Sequence, residues 1–122
     1  MSVRSKKILF ILQHAPYGEA RAREALDVVF AAAAFDQQIQ LLFTGEGLWQ
    51  LLKEQQGGDI DCKDISRLLG ALLFYDIDTI FVDAVSLHAR GLCVEQFSLP
   101  VVVLSTKDMR EMVRNADCVL SL

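Results

Sequence analysis

The stretch that decides the fold is TIFVDAVSLHARGLC, residues 79–93. An apolar run, Ile80-Phe81-Val82, stops at a carboxylate, Asp83. Residues 84–90 suit a short helix, and Gly91 then offers a C-terminal cap. A buried strand that hands over directly to a helix is the repeating step of a parallel α/β sheet. In such sheets, ligands gather at the carboxyl ends of the strands. Asp83 therefore stands in a reactive position, and the question is what a carboxylate does there.

The same alternation runs outward along the chain. Residues 6–13 read as a first strand and 19–35 as a helix, with Ala25, Val28, Val29, Ala32 and Phe35 at helical spacing. Residues 39–44 form a second strand, broken by Gly45 and Gly47. A short helical turn follows at 48–54, and Gly57-Gly58 mark a flexible joint. Residues 63–75 predict a helix whose Ile65, Leu68, Leu69 and Leu72 face inward. The third strand is expected at 76–82 and the fourth at 100–104. Ser105 or Thr106 caps a helix at 107–115, and a fifth strand closes the chain at 118–122. These elements predict one domain over 1–122: a single open, mostly parallel five-stranded sheet with helices on both faces, in flavodoxin-like order.

Composition narrows the function classes. With 52% hydrophobic and 23% charged residues in 122, the chain is globular rather than disordered. A chain of this size buries roughly two-thirds of its unfolded surface. The net charge of -4 and the lack of a basic stripe argue against a direct grip on nucleic acid. The N-terminal apolar run, Ile8 to Leu12, is too short for a signal peptide. No segment reaches the roughly 18 apolar residues of a membrane span. A soluble, cytoplasmic protein is expected.

The carboxyl end of the first strand reads QHAPYGE, with Pro16 and Gly18 making a turn before Glu19. It lacks the glycines of a phosphate cradle, and His14 has no cysteine or serine beside it in sequence to activate. Asp83 and Lys107 suggest a phosphoacceptor domain, but Mg²⁺ needs clustered oxygen ligands, and the first turn supplies no pair of acids. Cys62, Cys93 and Cys118 fit neither a disulfide framework nor a zinc pattern. Cys118 is expected to be buried and inert, and Cys62 lies among acids that oppose thiolate formation. Cys93 alone has cationic neighbours, Arg90 and His88. Neither a cofactor nor a metal is expected. The mean hydropathy of +0.31 leaves Leu48, Trp49, Leu51, Leu52, Phe74 and Tyr75 either in the core or under another subunit.

Four stretches together resemble the DsrE/DsrF/DsrH-like sulfur-relay family: APYGEARAREALDVVFAAAAF, LLFTGEGLWQLL, LLFYDIDTIFVDAVSLHARGL and NADCVLSL. The likeness covers nearly the whole chain and runs to the TusC-like or DsrF-like branch. The resemblance implies the open α/β sheet. It also implies a heterohexamer with TusB-like and TusD-like partners, which passes persulfide sulfur from a sulfur-carrier protein towards the enzyme that 2-thiolates the wobble uridine of certain tRNAs. The DsrEFH version serves sulfur trafficking in sulfur oxidation. Counting back from Gly91 places Asp83 where the TusD/DsrE-like branch has its relay cysteine. A carboxylate cannot carry sulfane sulfur, so the resemblance implies a structural subunit without a catalytic residue. An active sulfurtransferase using Cys93 and a stand-alone small-ligand binder are the competing readings.

Overall fold

The computed structural model describes residues 6–15, 21–35, 37–52, 67–75, 77 and 79–122. The expected turn at Pro16 and Gly18, the joint at Gly57-Gly58, and Cys62 lie outside the described residues. The chain runs through β1 (Lys7–Leu12), α1 (Arg21–Ala33), β2 (Gln38–Phe43) and a 3₁₀ helix, Gly45–Leu51. Residues 67–71 are helical (α2) and tighten into a 3₁₀ turn, Leu72–Tyr75. Then come β3 (Ile80–Asp83), α3 (Ala84–Ala89), a 3₁₀ turn at Val94–Gln96, β4 (Val101–Leu104), α4 (Thr106–Asn115) and β5 (Cys118–Ser121). The third strand starts later than expected. The N–H of Ile77 bonds back to the carbonyl of Leu72 at 3.3 Å, closing the preceding turn instead of joining the ladder.

All four strand pairings are parallel, and the order is β4-β3-β2-β1-β5. The flavodoxin-like order expected from sequence is therefore corrected: β2, not β1, lies beside β3. Right-handed crossovers are compatible with both orders, and in the observed one they set which face each helix takes. From β1 to β4 the chain moves in one direction across the sheet, so right-handed connections keep α1 to α3 on one face. The last crossover reverses direction to reach β5 beside β1, and the same handedness puts α4 on the other face.

Each strand alternates between the two layers. Phe10, Leu12, Leu41, Phe43, Ile80 and Val82 join Leu26, Val29, Leu48, Leu69 and Leu87 in the larger core. Leu9, Leu42 and Leu104 form a smaller one, with Met109, Met112 and Ala116 of α4 packed over it. The segment whose apolar content stood open in the sequence belongs inside. Leu48 and Leu51 are fully buried, and Trp49 and Leu52 are half-buried against the larger core. Exposed apolar surface lies elsewhere, at Phe35 and Phe74 and along both edge strands.

Candidate functional site

Adjacent strands whose following helices depart to opposite faces leave a crevice at their carboxyl ends. Here β3 leads into α3 on one face and β4 into α4 on the other, and Asp83 pairs in register with Leu104 at that point. Asp83 is the last residue of β3 and the N-cap of α3. Its Oδ1 accepts the N–H of Val85 at 3.0 Å, and its Oδ2 accepts the hydroxyl of Ser86 at 2.6 Å. Ser86 is buried, and its Oγ in turn accepts the N–H of Gly45 at 2.9 Å. A continuous chain of hydrogen bonds thus ties the end of β3 to the segment that follows β2. Such chains strengthen their members because each bond polarises the next.

Gly45 enters its 3₁₀ helix with φ +54, in the left-handed region that glycine adopts without strain. One residue on, Glu46 receives two donors. Arg90 Nη2 reaches its Oε1 at 2.9 Å, and the indole N–H of Trp49 reaches its Oε2 at 2.7 Å. Arg90 Nη1 also donates to the carbonyl of Ser86 at 3.2 Å. The guanidinium therefore bridges Ser86, the middle of that chain, to Glu46, the residue after Gly45. Beneath it, buried Gln50 donates its side-chain amide to the carbonyl of His14 at 2.8 Å, fixing the 3₁₀ helix to the exit of β1.

The Arg90 hydrogen bond holds the Glu46 carboxyl below its ordinary value near 4.5, helped by the Trp49 N–H and slightly opposed by burial. A carboxylate lowered in this way stabilises the fold above its unfolded-chain value, and the contribution is lost as pH falls through the lower folded value. The effect is modest, because the Glu46 side chain is 56% exposed. The melting temperature of wild type is expected to exceed that of Glu46→Gln at neutral pH. That gap should close as pH drops below about 4.5; a pH-independent gap would mean that the charge of Glu46 contributes nothing.

The other residues singled out in the sequence are not gathered here. His14 follows β1, two strands from β3, and lines a separate groove with Arg21, Glu24 and Leu122. Cys93 is exposed beyond α3, its N–H held by Gln96 Oε1 at 2.7 Å. Arg90, the cation expected to serve its thiol, is committed to Glu46 and Ser86. Cys118, expected to be buried, is exposed: among the described strands β5 lies at the edge and pairs only with β1. Among the described residues no group of three or more His, Cys, Asp or Glu side chains could hold a metal ion. Nor is any helix among them long and apolar enough to cross a membrane. Ser86, Gly45 and Glu46 are the site residues that sequence reasoning missed. The local signals were the i, i+4 pair Ser86/Arg90 and the i, i+3 pair Glu46/Trp49, which face together on a helix.

Residues 6–122 match the DsrE/DsrF-like family. The chain is 36% identical over 118 residues to a protein TusC homolog of Pseudomonas aeruginosa, covering 97% of this chain and 99% of that one. It is 35% identical to the intracellular sulfur oxidation protein DsrF of Allochromatium vinosum, covering 99% of each. The crystal structure of the ychN protein from E. coli matches with a TM-score of 0.77 over 96% of this chain and 99% of that one. At 18% identity that likeness speaks for the fold alone.

Proposed function

Because the chain belongs to the DsrE/DsrF-like family, we propose that it is a non-catalytic, structural subunit of a heterohexameric sulfur-relay complex. Its partners in this reading are TusB-like and TusD-like subunits. The complex receives persulfide sulfur from a carrier protein and passes it towards 2-thiolation of the wobble uridine in tRNA. It works in the cytoplasm, where thiols stay reduced.

One observation carries this reading: Asp83 is spent as a helix cap, and in this reading it stands where the TusD/DsrE-like branch has its relay cysteine. Sulfane sulfur moves by attack of a thiolate on sulfur, with a second thiolate leaving. A carboxylate offers no sulfur for the new S–S bond. Both Asp83 oxygens are moreover occupied by the Val85 N–H and the Ser86 hydroxyl. In this reading the sulfur-carrying residue comes from another subunit.

The decisive experiment is mass spectrometry of each subunit after the co-expressed complex is loaded with persulfide. Added sulfur is expected on a partner and none on this chain. In the same complex, Cys93→Ser is expected to leave thiolated tRNA per complex unchanged. Added sulfur on Cys93, or loss of thiolation at equal complex yield, would make this chain an active sulfurtransferase. The likeness to DsrF supports a second pathway, sulfur trafficking in sulfur oxidation, served by the same structural role. Activity on tRNA separates the two.

A further inference from the structure

The two faces of the sheet are covered unequally. Among the described residues, one carries α1, α2, α3 and the Gly45–Leu51 helix, while the other carries only α4. Five strands spaced about 4.8 Å apart span roughly 19 Å. That width takes two helices of about 10 Å side by side. Beside α4 no second helix is found among the described residues. The second place opens as a groove of about 480 Å³, floored by Ile11 and Leu42 and walled by Met109 and Val113. Val119 of β5 pairs in register with Leu9, shares its face, and is 38% exposed; Val113 is 41% exposed.

The rim of the groove carries charge of one sign. Arg110 and Arg114 line it, and among the described residues no carboxylate does. Neither guanidinium makes a hydrogen bond or an ion pair with a described residue. Four residues apart on α4, they stand about 6 Å apart along its axis. A helix packed alongside repeats its own acids at the same pitch when they are spaced i, i+4.

We infer that this groove seats an acidic amphipathic helix of a partner subunit. Its apolar stripe lies on Ile11, Leu42 and Val113, and two carboxylates one turn apart meet Arg110 and Arg114. The inference rests on the proposed membership of a heteromeric complex and assigns that complex one of its contacts. Layer packing calls for a helix, since helix-on-sheet contact is what buries the remaining apolar strip. Charge complementarity calls for an acidic one.

The test uses the complex co-expressed from wild-type subunits, with affinity measured by titration of the purified chain into its partners. Arg110→Glu with Arg114→Glu is expected to weaken assembly at least tenfold while leaving the melting temperature of the isolated chain unchanged. Val113→Asp should do the same through the apolar contact. Replacing paired acids on an exposed partner helix by arginine should restore assembly with the double Glu variant. Equal affinity of wild type and both variants would overturn the inference and leave the proposed function standing. Failure of the wild-type chain to assemble with the partners would overturn the proposed function, and the inference with it. If the variants abolish self-association of the isolated chain but not assembly with partners, the occupant is a second copy, and the inference is wrong.

Discussion

Gly47→Ala is expected to destabilise the protein by about 3 kcal/mol, the upper end of what overpacking a rigid site costs. A Cβ at this position would lie 2.2 Å from the carbonyl oxygen of Leu12 and 2.9 Å from its carbonyl carbon. Those atoms cannot yield. Leu12 ends β1, which is held between β2 and β5, and its carbonyl accepts the N–H of Thr44 at 3.0 Å. The 3₁₀ helix must move instead. Leu48 and Leu51, both fully buried, would move with it, as would the Gly45 bond to Ser86 and the Glu46 pairing with Arg90. A loss of this size is a large fraction of the roughly 5–15 kcal/mol that holds a domain together. Gly70→Ala supplies the control. Gly70 is an exposed helical residue of α2 with nothing within 4 Å of an added Cβ, so the change should be neutral or stabilising by up to about 1 kcal/mol. Denaturant midpoints of the two variants check both statements. A Gly47→Ala loss under about 0.5 kcal/mol would show that the close approach to β1 is not rigid.

The unit around Asp83 was legible because every signal in it is local. The apolar run, the carboxylate that ends it and the terminating glycine lie within a dozen positions. The structure reproduces them as β3, α3 and Gly91 with φ +63. The lateral order of the strands was not legible in the same way. Strand patterns say which residues are buried, not which strand lies alongside. The handedness of a crossover fixes which face its helix takes, not which way along the sheet it travels. CVLS misled for a related reason. An apolar run of three, Cys118 to Leu120, reads as buried, but among the described strands β5 has a neighbour on one side only, and Cys118 is left exposed. At the site, the cap on Val85 was readable two residues away, whereas the Ser86–Gly45 bond joins residues 41 apart. No pattern in the sequence marks such a pair. Only the parallel pairing of β2 with β3 brings the two loops together.

Asp83→Ala is expected to lower stability by about 2 kcal/mol and to leave sulfur relay unaffected in every complex that still assembles. The stability loss has two sources. Removing an N-cap carboxylate frees the Val85 N–H and typically costs about 1 kcal/mol. It also leaves the hydroxyl of buried Ser86 without its acceptor, which costs a further 1 kcal/mol or so. Asp83→Asn separates capping from charge. The amide oxygen still accepts the Val85 N–H, and the Ser86 hydroxyl can turn to accept from the amide nitrogen, so most of the stability should remain. A residue that acted in the relay as an acid, a base or an anion would fail in both variants. A cap fails only in alanine, and then only in stability. The two roles therefore predict different results for Asp83→Asn: thiolated tRNA per assembled complex at the wild-type level for a cap, and a large drop at equal complex yield for a participant in the chemistry. The second result would overturn the structural role assigned to this chain, because no sulfur-free group at the end of β3 should matter to the relay once the partners are in place.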